Sequence, residues 1–127
     1  MSVTKKVVLA EDDRFLRRAC ETALTRLGIS VLSAEDGDRA LALVRSERPD
    51  LVLLDLLMPK MTGIEVLRAL RKDEQTRGIP VLILSNSSRE LEMRDAKALG
   101  VVGYLVKANL SLKDLGDRIE AILETLA

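Results

Sequence analysis

The stretch of sequence that decides the fold is PDLVLLDLLMP, which runs from Pro49 to Pro59. Its segment 51–54 is continuously apolar and does not alternate with polar residues. This pattern predicts a strand of a parallel sheet that helices cover on both faces. Asp55 follows the strand directly. An ionised carboxylate among so many apolar side chains costs several kcal/mol unless it is paired, solvated or bound to a metal, so Asp55 requires an explanation.

Two interpretations of Asp55 compete. In the structural interpretation, Asp55 caps a helix or is the buried partner of a nearby lysine. In the functional interpretation, it is a nucleophile or a metal ligand at the carboxyl edge of an open α/β sheet, where ligands of such folds usually bind. The rest of the chain has to decide between them.

Composition limits the possible classes of protein. The chain has 127 residues, of which 47% are hydrophobic and 31% are charged, and we expect a single globular domain over residues 1–127. Its 20 basic and 20 acidic residues give no formal net charge, which removes the electrostatic argument for nucleic acid or an anionic membrane as a direct partner. There is no histidine and only one cysteine, so a zinc site or a Ser-His or Cys-His catalytic arrangement is excluded.

Targeting signals are also missing from the sequence. No apolar stretch approaches the length of about 18 residues that a membrane span requires. The first ten residues lack the pattern of a signal peptide. We therefore expect a cytoplasmic protein.

Five apolar segments alternate with five helical patterns along the chain. The predicted strands are residues 6–10, 29–34, 51–54, 81–84 and 103–106. The apolar stripe of the first predicted helix includes Phe15, and Gly28 is placed to cap its C-terminus. The polar cluster 85–88 is predicted to cap the fourth helix. The last helix is expected to start near Ser111 and to turn Leu126 inward.

This alternation predicts an α/β fold with a doubly wound parallel sheet and right-handed crossovers. All strands of such a sheet point the same way, so the residues that follow them meet at one edge. Those residues are Glu11, Asp12, Asp55, Ser85 and Lys107. Four separate strand ends thus supply three carboxylates, a hydroxyl and an ammonium group, which favours the functional interpretation of Asp55.

The chemistry of this set suggests a use. Mg²⁺ prefers hard oxygen ligands and retains several waters, and Asp12 and Asp55 are candidate ligands with Glu11 nearby. A carboxylate can also attack phosphorus and become an aspartyl phosphate, provided that a metal offsets the repulsion between two anions. Lys107 would then supply a counter-charge, and Ser85 a hydrogen bond to a phosphoryl oxygen.

These residues resemble a known family, the receiver domain of two-component response regulators, and are close to its single-domain chemotaxis type. The resemblance covers essentially the whole chain. Its parts are Glu11-Asp12, Asp55 within LLDLLMP, Ser85, and Tyr104 and Lys107 within GYLVK, at spacings that match the family. The resemblance implies a flavodoxin-like (βα)5 fold whose five strands are ordered 2-1-3-4-5.

The resemblance also implies a function for the site. Asp55 would accept a phosphoryl group from a histidine kinase or a histidine phosphotransfer protein. Mg²⁺ would be held by Asp12, Asp55 and the Leu57 carbonyl, with Glu11 acting through a water molecule, and the backbone of Asn86 would contact the phosphoryl group. Such a protein is a signalling switch rather than an enzyme, although receivers catalyse their own phosphorylation and a slow dephosphorylation.

The resemblance also implies a partner-binding output surface, and the chain differs from the family's usual residues near the site. Ser85 and Tyr104 would couple the site to a face formed by the fourth helix, fifth strand and fifth helix, which would bind a downstream protein or a second copy of the chain. Asn86 stands where the family usually has alanine. Leu57 and Ser87 occupy positions that are thought to tune phosphate hydrolysis, and a bulky apolar Leu57 is expected to slow it.

The peptide bond after Lys107 is a further departure. Many receivers have a cis Lys-Pro bond here, whereas this chain has Ala108. A cis bond before a residue other than proline costs about 2.5 to 4 kcal/mol, so we predict a trans bond with the ammonium still reaching Asp55.

Three alternative functions remain at this point. A phosphohydrolase of the haloacid dehalogenase type also uses an Asp at a strand end, but normally as Asp-x-Asp, and here Leu57 is the residue two positions on. A nucleotide-binding flavodoxin-like module needs a glycine-rich phosphate loop, and residues 10–15 contain no glycine. A pseudo-receiver that folds but is never phosphorylated differs only in its chemistry.

Overall fold

The computed structural model describes residues 4–86 and 89–126. The predicted alternation of strands and helices is confirmed. The strands are β1 (Lys6–Ala10), β2 (Ser30–Ala34), β3 (Leu51–Leu54), β4 (Val81–Ser85) and β5 (Gly103–Val106). The helices are α1 (Arg14–Arg26), α2 (Gly37–Glu47), α3 (Gly63–Lys72), α4 (Glu90–Ala98) and α5 (Leu112–Leu126), and a short 3-10 turn, Lys107–Asn109, follows β5. None of the described helices combines the length and the apolar character that a bilayer crossing requires.

The strands form one parallel sheet in the order β2-β1-β3-β4-β5, which confirms the predicted topology. The register aligns the carboxyl ends of the strands. Ala10 at the end of β1 lies opposite both Ala34 of β2 and Leu54 of β3. Ser85 at the end of β4 lies opposite Val106 of β5. The residues after β1, β3 and β5 therefore project from the same edge of the sheet.

Helices cover both faces of the sheet because successive strand residues point to opposite sides. One core contains Val8, Val52, Leu54 and Ile83 of the strands and packs them against buried residues of α2, α3 and α4. The other core contains the neighbouring strand residues Val7, Leu53 and Leu82, packed against buried residues of α1 and α5. The unbroken apolar run of β3 is buried throughout, since alternate residues enter different cores.

Two predicted features of the helices differ in the structure. Phe15 is 86% exposed and Leu126 is 47% exposed, so their assignment to the buried stripes of α1 and α5 is wrong. Each lies at an end of its helix. A 15-residue helix such as α5 is about 22 Å long, whereas a five-residue strand spans about 17 Å, so the sheet is too short to cover every turn of α5. The glycine cap is confirmed, because Gly28 has a φ of 80°.

The N-cap residue of α4 lies one residue after the predicted capping cluster, 85–88. The helix begins at Glu90, and its N-cap residue, Arg89, makes no side-chain capping hydrogen bond. An arginine side chain has no oxygen with which to accept a bond from the helix N–H groups. Ser87 and Ser88 of the predicted capping cluster lie outside the described residues. The start of the last helix is confirmed, since Ser111 Oγ accepts a hydrogen bond from the Asp114 amide at 3.1 Å.

Candidate functional site

Three carboxylates meet at the carboxyl edge of the sheet. One oxygen each of Glu11, Asp12 and Asp55 lies within 4.8 Å of the others. The Asp55 amide donates to the Ala10 carbonyl at 3.0 Å, which ties the end of β3 to the end of β1. Asp55 is only 4% exposed and Glu11 is buried as well, whereas Asp12 faces solvent. The edge thus presents a concentrated negative charge with one open side.

Lys107 enters this cluster from the end of β5. Its Nζ lies 2.5 Å from Glu11 Oε1 and donates a hydrogen bond to Asp55 Oδ2 at 3.1 Å. No described peptide bond is cis, so the predicted trans bond between Lys107 and Ala108 is confirmed. One ammonium faces three carboxylates, and the site retains an excess of negative charge that favours a further cation.

Burial and mutual charge govern protonation in the cluster. Burial raises the pKa of Glu11 to about 7, and the charge of Asp55 adds to this rise while Lys107 opposes it. Burial alone would lower the pKa of Lys107, but its hydrogen bonds and ion pairs with Glu11 and Asp55 outweigh that effect and raise it. Lys107 therefore remains a full positive charge at neutral pH.

The loop that follows Asp55 is held closely against the end of β3. The Leu57 amide donates to Asp55 Oδ1 at 3.2 Å, while the Leu57 side chain is 57% exposed. The Gly63 amide donates to the Leu56 carbonyl at 2.9 Å. A Cβ atom at Gly63 would collide with the Asp55 carbonyl, so only glycine allows this approach. The backbone beside Asp55 is therefore fixed by packing.

The sequence analysis did not predict two sets of contacts that hold this loop. Thr62 Oγ1 accepts a hydrogen bond from the Glu65 amide, and the Glu65 carboxylate accepts one from the Thr62 amide, which together form a capping box at the start of α3. The pattern Thr-x-x-Glu is a sequence signal that could have identified it. The second set involves Gly37 of α2, where a Cβ atom would collide with the Met61 carbonyl. That contact joins distant segments, and no local pattern signals it.

The other predicted site residues lie on β4 and β5. Ser85 is buried and is the last residue of β4 rather than the first residue after it. Asn86 follows and is exposed. Tyr104 is half-buried on β5 opposite Ile83, and it packs against the core that contains Ala96 of α4. Ser87 lies outside the described residues. The roles assigned to these residues stay predictions.

The acidic cluster fits a small divalent metal ion. Its donors are hard carboxylate oxygens, and the exposed position of Asp12 leaves room for coordinated water. This combination suits an ion that takes one or two protein carboxylates and retains several waters. The cluster could therefore bind a metal.

Residues 7–120 match the family described as the response regulator receiver domain. The chain therefore belongs to this family, as its sequence motifs predict. It is 37% identical over 119 residues to the probable transcriptional regulator ycf27 of Porphyridium aerugineum, with 94% of this chain and 48% of that protein covered.

Solved structures agree with this assignment. The chemotaxis response regulator CheY4 of Vibrio cholerae is 30% identical, with a TM-score of 0.86 over 94% of this chain and 99% of that one. The phosphorylated cyanobacterial phytochrome response regulator RcpA is 34% identical, with a TM-score of 0.82 over 96% of this chain and 93% of that one. The chain spans about half the length of the curated relatives that it matches, for example 48% of the ycf27 protein. A phosphohydrolase of the haloacid dehalogenase type is not favoured.

Proposed function

We propose that the chain is a phosphorylation-controlled switch in which Asp55 is the phosphoryl acceptor. The observation that carries the proposal is the position of Asp55: its carboxylate is nearly buried at the end of β3, between two other carboxylates and the Lys107 ammonium. An ionised carboxylate in that position is poorly explained by stability, because removing charges from water costs several kcal/mol per ion. The solved structure of RcpA, a relative, is of a phosphorylated protein.

The donor in this proposal is a phosphohistidine of a histidine kinase or a histidine phosphotransfer protein, since the chain itself has no histidine. An Asp55 oxygen attacks phosphorus, an O–P bond forms and the N–P bond breaks. The electron pair leaves with the imidazole nitrogen. Reaction with water later cleaves the acyl phosphate and restores the carboxylate. The chain's own contribution to both steps is weak catalysis, which makes it a switch rather than a metabolic enzyme.

Mg²⁺ is the proposed cofactor. Asp12, Asp55 and the Leu57 carbonyl would hold it directly, and Glu11 would act through a water molecule. When bound, the ion offsets the repulsion between the carboxylate and the incoming phosphoryl group. Lys107 donates a hydrogen bond to Asp55 Oδ2. After phosphorylation it would donate to a phosphoryl oxygen instead.

The residues around the acceptor have complementary proposed roles. Ser85 would donate its hydroxyl hydrogen to a phosphoryl oxygen, and the Asn86 amide would contact the same group. Leu57 is exposed beside Asp55 and would limit the approach of water, which lengthens the life of the phosphorylated state. Ser87 would share that tuning role.

The proposed output surface consists of α4, β5 and α5. Movement of Ser85 towards the phosphoryl group would open space that the Tyr104 ring enters, and this would change the surface. The phosphorylated state must bind its partner better than the unphosphorylated state does, because only differential affinity shifts the population. The partner is a downstream protein or a second copy of the chain, and we place this exchange in the cytoplasm.

Acetyl phosphate with Mg²⁺ tests the acceptor directly. We expect the mass of the intact protein to rise by one phosphoryl group, and hydroxylamine to remove that group because an acyl phosphate is labile to it. The matched variant Asp55→Asn is nearly isosteric and should show no increase. Labelling of the variant at the wild-type rate would contradict the assignment.

The same variant must fold for this test to count. Neutralising one of three clustered carboxylates relieves repulsion, and Glu11 remains as a partner for Lys107. We therefore expect the metal-free free energy of unfolding of Asp55→Asn to equal or exceed that of the wild type. A thermal melt in the presence of a chelator measures it.

A further inference from the structure

The segment between β1 and α1, residues 11–13, carries two of the three carboxylates of the acidic cluster. Arg17, on the first turns of α1, reaches back to its backbone. Arg17 Nη1 donates a hydrogen bond to the Glu11 carbonyl at 2.9 Å and a longer one to the Asp12 carbonyl at 3.4 Å. One terminal nitrogen therefore links both residues to the helix.

The charge of Arg17 is directed to these carbonyls and not to an acid. Within residues 4–86 and 89–126, none of the ion pairs involves Arg17. The side chain is half-buried, whereas its neighbour Arg18 is exposed. A guanidinium in this position is a charged donor, and such hydrogen bonds are about twice as strong as neutral ones.

The carboxylate of Asp12 depends on the backbone for its direction. Among the described residues it has no hydrogen bond or ion pair, in contrast to its neighbours. Glu11 is held by Lys107 and by the Asp13 amide at 3.0 Å, and Asp13 caps α1 by accepting from the Phe15 amide at 2.9 Å. Arg17 is the side chain that bonds the peptide unit of Asp12 itself.

We propose that Arg17 is a positioning residue for the acidic cluster: its guanidinium holds the carbonyls of Glu11 and Asp12 and so aims their carboxylates at a shared divalent cation. This inference rests on the proposed function, in which the cluster binds Mg²⁺. Side chains that orient metal ligands from outside the coordination sphere typically contribute 10- to 100-fold in metal affinity. Arg17 does not touch the phosphoryl group and is not a catalytic residue.

Mg²⁺ affinity of the metal-free protein, measured by isothermal titration calorimetry, tests the proposal. Arg17→Met removes both hydrogen bonds, and we expect affinity to fall by about 10-fold or more. The matched control Arg18→Met removes the same charge one residue away and should bind close to the wild-type value. Arg17→Lys keeps the charge on a compact ammonium at the end of a side chain that is one atom shorter. It should therefore reach the two carbonyls less well, and its affinity should lie between those of Arg17→Met and the wild type.

A second readout separates positioning from folding. Phosphorylation by acetyl phosphate should need more Mg²⁺ in Arg17→Met, yet reach the wild-type rate at saturating Mg²⁺, because the nucleophile is intact. A merely structural role would lower the saturated rate or the folded fraction instead. If Arg17→Met does not fold, Arg17→Lys and Arg18→Lys are compared, and the first must bind Mg²⁺ more weakly.

Two results would overturn the inference. Equal Mg²⁺ affinities for Arg17→Met and Arg18→Met, or for the two lysine variants, would refute it while leaving the proposed function standing, provided that the wild type binds Mg²⁺ and is phosphorylated. A wild-type protein that neither binds Mg²⁺ nor accepts a phosphoryl group would refute the proposed function itself and this inference with it.

Discussion

Two helices begin beside the candidate site, and the structure holds them very differently. α3 follows Asp55, and a capping box between Thr62 and Glu65 closes its first turn. Its buried residues are Gly63, Val66, Leu67 and Leu70. α4 follows Ser85, its N-cap residue Arg89 makes no side-chain capping hydrogen bond, and Ala96 is its one buried residue among those described. The helix that follows Asp55 is therefore anchored, and the next helix, α4, is weakly held.

This difference indicates which helix can respond to a change at Asp55. Segments with few buried apolar contacts have the lowest local stability, and elements that move in regulation come from that group. A phosphoryl group on Asp55, as proposed, would face a fixed segment on the α3 side and a loosely packed helix on the α4 side. We therefore expect α3 to keep the site in place and α4 to respond.

Truncating a leucine in each helix should give the largest difference in unfolding free energy between α3 and α4. Leu67 of α3 is fully buried, and Leu67→Ala should cost about 2 to 5 kcal/mol of unfolding free energy through lost burial and the cavity that it leaves. Leu91 of α4 is 67% exposed, and Leu91→Ala should change stability by about 0.5 kcal/mol or less. Denaturant unfolding measures both. Equal losses would show that α4 is packed as firmly as α3.

The far end of α4 is expected to behave differently from its start. Arg71 of α3 donates to the Leu99 carbonyl at 2.7 Å and to the Ile79 carbonyl at 2.9 Å. Arg71→Met leaves those carbonyls without their charged donor and should cost about 2 kcal/mol, since hydrogen bonds to charged groups are worth about 1.5 to 3 kcal/mol. Arg68→Met, at an exposed position of the same helix, is the control and should change stability little.

Urea unfolding of the two arginine variants decides this point. A loss confined to Arg71→Met means that Arg71 anchors the C-terminal end of α4. Unchanged stability in both variants would show that Arg71 is not such an anchor.

The smallest expected effect concerns the helix caps. Thr62→Ala breaks the capping box and should cost about 1 kcal/mol. Arg89→Ala at the corresponding position of α4 removes no capping bond and should stay within about 0.5 kcal/mol. Thermal melts of both variants, matched for buffer and metal content, give the comparison. A larger loss in Arg89→Ala than in Thr62→Ala would reverse it.

The sequence predicted the fold well because the signals for it are local. The unbroken apolar run of 51–54 is typical of a strand that is buried on both faces. Gly28, which has a positive φ, lies just after the end of α1. The same reasoning failed where the extent of the sheet matters. Phe15 and Leu126 continue an apolar pattern, but they lie in the terminal turns of their helices and are exposed, and the pattern does not show which terminal residues are covered.

For the candidate site, the positions of the strand ends predicted which residues lie close together. They did not predict which side chains form ion pairs. Glu11, Asp12, Asp55 and Lys107 meet because parallel strands end at one edge. The closer approach of Lys107 to Glu11 than to Asp55 depends on burial and loop geometry, which spacing does not encode. The hold of Arg17 on the turn after β1 depends on the course of a flexible side chain and was missed for the same reason.

Amide hydrogen exchange, with and without beryllofluoride plus Mg²⁺ as a mimic of the phosphorylated state, tests whether α4 responds while α3 stays fixed. We expect exchange to change around Asp55, along residues 89–99 and at Tyr104, while α3 keeps its protection. Asp55→Asn should show none of these changes. Changes confined to the surroundings of Asp55, or larger changes in α3 than in α4, would show that α4 is not the responding helix.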